Sequence, residues 1–127
     1  MRKQILSVMT VIILGVVSLA GNITVQAKSK APAMVIANRY YGSSYASIGS
    51  NYATASTSFG TPVVQTSVSA VYRYKKADGS FGVMKGSDSG KQTCSVKLSH
   101  KNAYSVISDH NASCSEGSSK KHVELVY

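Results

Sequence analysis

Tryptophan is absent from this chain, and acidic side chains are few: five Asp and Glu stand against 14 Lys and Arg in 127 residues. Beyond residue 30, leucine occurs only at Leu98 and Leu125, and glutamate only at Glu116 and Glu124. A segment this poor in long helix-forming side chains disfavours helices. Five scattered carboxylates also argue against a glycosidase, which needs two of them at a set distance.

Cysteine is equally scarce, and its spacing suits no metal. Cys94 and Cys114 form no Cys-x-x-Cys pair, and the three histidines do not cluster with them along the chain. We therefore expect neither a metal nor a cofactor. In an exported protein, two cysteines predict a disulfide, here one that closes a loop of about 20 residues. Two free thiols are the alternative.

The sequence also lacks a convincing catalytic motif. The Gly86–Gly90 segment resembles a lipase nucleophile elbow at first sight, but the elbow requires Ser at the centre of Gly-x-Ser-x-Gly. Here the central residue is Asp88. Small Gly, Ser and Asp residues are typical of tight turns. We expect Gly86–Gly90 to be a turn, and the protein not to be an enzyme.

An export signal is what the N-terminus does contain. Arg2 and Lys3 precede an apolar run from Ile5 to Ala20, and a more polar stretch then ends in Val25-Gln26-Ala27. This order predicts a signal peptide over residues 1–27, cleaved after Ala27, or alternatively after Ala20. A permanent anchor is disfavoured because a span needs about 20 apolar residues. The protein is expected to be secreted.

Alternation of apolar and polar side chains dominates the rest of the chain, and it predicts one packed face with Val68, Ala70 and Tyr72 and another with Val123 and Leu125. We expect a flexible leader over residues 28–32 and a single all-β domain over 33–127, a small antiparallel sandwich or barrel of six to seven strands. Residues 39–51, rich in Tyr, Gly and Ser, are expected to be a loop, and Asp78–Gly79 a hairpin turn. The predicted strands are 33–37, 52–59, 63–74, 80–85, 91–100, 103–114 and 120–127.

The charge of the expected mature protein is strongly positive. From residue 28 onwards, twelve Lys and Arg against five acids leave a net charge of +7. Such a surplus favours anionic partners, such as a cell-wall polymer, an acidic glycan or a membrane surface. Nucleic acid is not expected as the partner of an exported protein. Alternatively, the charge serves only solubility.

Two groups of residues are candidates for such a surface. The basic residues near the ends of two predicted strands would form one cationic patch if those ends meet, although edge lysines also simply prevent strand pairing. Tyrosines earlier in the chain would add ring faces for sugars or for a membrane interface. The cations are Arg73, Lys75, Lys76, Lys120 and Lys121, and the tyrosines are Tyr40, Tyr41, Tyr45 and Tyr52.

The layout resembles a loose class of small exported proteins, through the alternating segments Tyr52–Phe59 and Val63–Tyr74 and the closing Val123–Tyr127. In architecture alone, it is also similar to lactococcin-type secreted bacteriocins, which are small basic β-sandwich domains. Those proteins are rich in Trp, which this chain lacks, and no motif carries functional residues across. Two hypotheses result: a non-enzymatic protein that binds an anionic or glycan-bearing cell-envelope surface, or an antimicrobial or toxin-like domain acting on a competitor's envelope.

Overall fold

The computed structural model describes residues 28–127, which form β-strands joined by short turns. The expected signal peptide, residues 1–27, lies outside the described residues. Over 28–127 there is no helix with the length and apolar character needed to cross a membrane. The strands are β1 Lys28–Lys30, β2 Ala33–Ile36, β3 Tyr40–Gly49, β4 Tyr52–Phe59, β5 Gln65–Lys75, β6 Phe81–Lys91, β7 Thr93–Ser99, β8 Ala103–Cys114 and β9 Gly117–Val126.

The strands form two antiparallel sheets. In the five-stranded sheet, β1 and β2 both pair with β3, and β4 and β7 follow. The four-stranded sheet has the order β6–β5–β8–β9. The predicted all-β antiparallel fold, a sandwich or a barrel, is thus confirmed as two sheets, with nine strands in the described range instead of six or seven.

Alternation along the strands places one set of side chains between the two sheets. On β5 the buried residues include Val68, Ala70 and Tyr72, and on β9 they are Val123 and Leu125, as the sequence pattern predicted. Each strand therefore has an inner face in the core and an outer face toward solvent. A smaller core cluster at one end of the sandwich comprises Met34, Ile36, Phe59, Val64 and Ala112.

The predicted turn at Gly86–Gly90 is wrong, because this segment is the second half of β6. A Cβ on Gly86 would lie only 2.9 Å from Cγ1 of Val96 on β7. Glycine is therefore required here for the close approach of two strands from different sheets, and not for a change of direction.

Two other segments predicted to lie outside strands also pair in the five-stranded sheet. The expected loop contains β3, which pairs with strands on both sides, so backbone hydrogen bonding outweighs its turn-like composition. The expected flexible leader forms β1. Nζ of Lys28 donates to the carbonyl of Val126 at 2.9 Å, and Nζ of Lys30 donates to that of Glu124 at 3.1 Å. These lysines link the two sheets.

The expected disulfide is not formed, and both cysteines are free thiols. Cys94 is buried in the larger core cluster on β7, whereas Cys114 is half-buried against the smaller cluster at the end of β8. The sequence placed them on neighbouring strands. β7 and β8 in fact belong to different sheets, because the chain changes sheet between them.

Candidate anionic-surface site

The cations highlighted by the sequence lie on the four-stranded sheet, but at its two ends. Arg73 is opposite Ser105, whereas Lys120 is opposite Asn111, which is itself opposite Ser67. Six residues of β5 separate these levels, or about 20 Å at ~3.3 Å per residue. The predicted cations therefore form two separate groups: Arg73, Lys75 and Lys76 at one end, and Lys120 and Lys121 at the other.

The first group contacts two aromatic rings. Cζ of Arg73 lies 4.5 Å from the ring centroid of Phe81 and 5.5 Å from that of Tyr104. Nζ of Lys75 lies 5.6 Å from the Tyr104 ring. The two rings are tilted by 48°, with centroids 4.6 Å apart. We call Arg73, Lys75, Phe81 and Tyr104 the aromatic–cationic patch. Ring faces attract cations, which keep their charge in such contacts.

The β5–β6 hairpin brings Phe81 to this patch. Its Asp78–Gly79 turn is confirmed, with the glycine at φ 87°. The turn sets Lys75 opposite Phe81, and Arg73 opposite Val83. This part of the patch follows from a local register that the turn specifies.

Tyr104 reaches the patch through a β-bulge. Along the pairing of β5 with β8, Arg73 is opposite Ser105 and the next residue, Tyr74, is opposite Ala103. Tyr104 is therefore the extra residue of β8. A bulge redirects a side chain relative to the regular alternation, and here it places the Tyr104 ring beside that of Phe81. The sequence contains no signal for this bulge, so Tyr104 was missed.

Exposed apolar side chains surround the patch. Phe81 is 38% exposed, Val83 51% and Val126 54%. Half-buried Val71 and Ile107 are paired on the same outer face. Exposed Lys85, opposite Val71 on β6, adds a further cation at the border. An apolar group of this kind on a solvent-facing sheet indicates an interaction surface.

Each Asp and Glu side chain in residues 28–127 is engaged by a neighbour outside the patch. Two accept hydrogen bonds from neutral groups: Asp78 from Ser80, and Asp88 from the backbone N–H of Ser95. In this range the ion pairs are Arg39–Glu116, His122–Asp109 and His122–Glu124. The cations of the patch therefore have no carboxylate partner in the part of the chain that the structure describes.

The tyrosines predicted to accompany the cations lie elsewhere, on the five-stranded sheet. Tyr41 and Tyr45, 64% and 37% exposed, share its outer face. Half-buried Tyr52 is contacted by Lys97, whose Nζ lies 5.5 Å from the ring centroid. Tyr40 occupies a different position.

Tyr40 joins a small polar cluster at the turn before β9. Its hydroxyl donates to Oε2 of Glu116 at 2.7 Å, and Nη1 of Arg39 donates to the same oxygen at 3.0 Å. The hydrogen bond from Tyr40 is the main reason that the pKa of Glu116 is lowered, and the same bond raises the pKa of Tyr40. The Tyr40 hydroxyl is thus occupied by an internal contact, and Cζ of Arg39 lies 5.2 Å from the centroid of its ring.

His122 lies between two carboxylates at the far end of the four-stranded sheet. Nδ1 donates to Asp109 at 2.6 Å, and Nε2 donates to Glu124 at 2.7 Å. Both hydrogen bonds raise the pKa of His122, and the one to Asp109 has the larger effect. A ring with both nitrogens donating offers no lone pair to a metal or a substrate. The adjoining shallow depression of about 410 Å³ is lined by Asp109, His110, Asn111, Lys120, Lys121 and His122.

His110 is fully buried beneath this end of the sheet. Its Nδ1 lies 3.0 Å from Oγ1 of Thr57, and its Nε2 lies 2.8 Å from Oγ of Ser108. Because Thr57 donates its own proton to the carbonyl of Ser67, Nδ1 donates to Thr57. Desolvation lowers the pKa of His110 and so favours the neutral ring, in which Nε2 accepts from Ser108.

Among residues 28–127, no three His, Cys, Asp or Glu side chains are grouped so that they could hold a metal ion. Ser89, from the sequence motif considered above, lies on the outer face, whereas His110 is in the core. No protein-family model, curated protein or solved structure matches this chain.

Proposed function

We propose that this is an exported, non-enzymatic protein that binds an anionic surface of a cell envelope through the aromatic–cationic patch. One observation carries the proposal: Arg73 and Lys75 are held over Phe81 and Tyr104, and no carboxylate of residues 28–127 neutralises them. Export is supported by the composition of residues 1–27.

The arrangement of the patch favours phosphate or carboxylate ligands. The guanidinium of Arg73 offers several N–H donors, which match the paired oxygens of such groups. Contact with two rings restricts the side chain before binding, so less conformational entropy is lost when an anion arrives. The net charge of +7 adds long-range attraction, which salt screens.

The five-stranded sheet supports the glycan component of this proposal. Its outer face presents Tyr41 and Tyr45 among short Ser and Thr side chains of β3 and β4. Tyrosine rings have apolar faces on which sugar rings stack and hydroxyls that form hydrogen bonds. A glycan-bearing envelope could therefore be contacted on this side as well.

Cosedimentation with isolated cell walls and with anionic vesicles, over a range of salt concentrations, tests the proposal. We expect Arg73→Gln with Lys75→Gln to lower affinity about tenfold or more, since each cation near an anionic surface contributes about 1 kcal/mol. The matched control, Lys120→Gln with Lys121→Gln, removes the same charge at the other end and should have a smaller effect. Equal losses in both variants, or binding insensitive to salt, would refute this site.

The alternative function, antimicrobial or toxin-like action on a competitor's envelope, would use the same surface. Growth of a broad panel of bacteria with the purified protein separates the two. Killing that depends on Arg73 and Lys75 would favour the alternative, whereas surface binding without growth inhibition would favour the first proposal.

A further inference from the structure

The apolar part of the patch distinguishes lipid from other polyanions. Outer faces of antiparallel sheets are normally polar, yet Phe81, Val83 and Val126 are 38%, 51% and 54% exposed around Arg73. A wall polymer or another soluble polyanion would satisfy the cations, but it would leave these three side chains in water.

The register makes this apolar region continuous. Arg73 lies between Val83 and Ser105, and Val126 is opposite Ser105. The next level along the sheet pairs Val71 with Ile107, with Lys85 on one side and Glu124, which is paired with His122, on the other. Further along, the outer face is polar and carries both signs of charge: Ser67, Ser69, Ser87, Ser89, Lys91, Asp109, Asn111, Lys120 and His122. The half around Arg73 is thus apolar and cationic apart from the paired Glu124 at its border, and the other half is polar.

We infer that the apolar, cationic half of this face lies on an anionic lipid bilayer, with Phe81, Val83 and Val126 inserted among the headgroups. This rests on the proposed function and names its ligand. The cations Arg73 and Lys75 pair with lipid phosphates, while the apolar side chains leave water for the acyl boundary. Lys85, opposite Val71, extends the cationic border toward the headgroups.

A second copy of the chain is the other candidate occupant of an apolar surface. A two-fold contact places the same patch on both partners. It would bring Arg73, Lys75 and Lys85 of one copy against the same cations of the other, and like charges at an interface are unfavourable. Anionic lipid supplies the opposite charge, so charge complementarity favours the bilayer.

A tryptophan reporter tests the position of the patch, because the natural chain has no Trp. We expect Val83→Trp to show a blue-shifted emission, and quenching by brominated lipid, with phosphatidylglycerol vesicles but not with phosphatidylcholine vesicles. The control, Ser95→Trp, is on the exposed outer face of β7 in the other sheet and should not shift. Vesicle binding without a shift at position 83 would overturn the inference.

Removing the apolar side chains while keeping every charge tests the lipid contact. We expect Val83→Ser with Val126→Ser to lower affinity for phosphatidylglycerol vesicles about tenfold or more and to leave binding to soluble polyphosphate unchanged. Unchanged vesicle binding would overturn the inference while the proposed function stands. If the natural protein bound neither vesicles nor polyphosphate, both this inference and the proposed function would be overturned. Lipid-free dimerisation abolished by the double variant would instead assign the patch to a second copy.

Discussion

The two ends of the four-stranded sheet differ on both of its faces. At the hairpin end, the inner face is apolar and the outer face carries the aromatic–cationic patch; the inner residues are Tyr72, Val106 and Leu125. At the far end, the inner face buries His110 and Ser108. Outside them, His122 is bound by two carboxylates.

From this difference, we expect the local surroundings of a cation to affect anion binding more than the number of cations does. Lysines stand at both ends of the sheet. At the far end, Lys120 and Lys121 share their depression with Asp109. At the hairpin end, rings hold the cations and apolar side chains surround them. A surface with exposed apolar groups and unneutralised charge is suited to an anionic interface.

The largest expected effect concerns the polar interior of the far end. His110→Ala should lower the free energy of unfolding by about 2–4 kcal/mol, because it leaves a cavity, removes the partner of the buried Ser108 hydroxyl and removes the donor to Thr57. Urea denaturation measures this value. Asn111→Ala, a half-buried outer-face change on the same strand, should cost much less. Equal costs would mean that the buried hydrogen bonds contribute nothing specific.

Making the hairpin end resemble the far end should remove binding. Val83→Glu places a carboxylate opposite Arg73 and deletes an apolar contact. We expect roughly a hundredfold weaker binding to phosphatidylglycerol vesicles. Ser87→Glu adds the same charge to β6 beyond the patch and should weaken binding far less. Similar losses in the two variants would show that net charge, and not the patch, controls binding.

The buried histidine should make the protein sensitive to acid. The pKa of His110 is lowered by burial from a usual value of 6.5. The His110 imidazole therefore binds a proton more readily in the unfolded chain than in the folded protein. As pH falls below about 6.5, this difference should lower the free energy of unfolding. Urea denaturation of the natural protein and of His110→Gln at pH 5 and pH 7 would show this. An equal pH dependence in both proteins would contradict it.

The exposed histidine should have the opposite and smallest effect. The pKa of His122 is raised by Asp109 and then Glu124. Its contribution is complete below the unfolded value of about 6.5 and is lost as pH rises through the folded pKa. Because the site is exposed, solvent screens the interaction. His122→Gln should therefore remove a small gain in stability that the natural protein shows as pH falls from above the folded pKa to about 6.5, measured by urea denaturation; an unchanged profile in this range would be inconsistent with the two hydrogen bonds.

Local signals were sufficient for much of the sheet structure but not for the site. The alternation in β4, β5 and β9 predicted both the strands and their buried faces. Successive side chains of a strand point to opposite faces, so the face of each one follows from its position along the chain. Arg73 and Lys75 were recognised, and the turn at Asp78–Gly79 could have led to Phe81. Tyr104 could not be found, because its position depends on a bulge between distant strands.

By itself, therefore, the sequence determined the all-β class, the inward face of the regular strands, the excess of positive charge and the hairpin turn. The tertiary structure decided that glycines at 86 and 90 lie within a strand, that the cysteines belong to different sheets, and that the two basic groups are about 20 Å apart. The physical reason is that these properties depend on which strands meet and in what register. Composition and periodicity do not encode such long-range pairing directly.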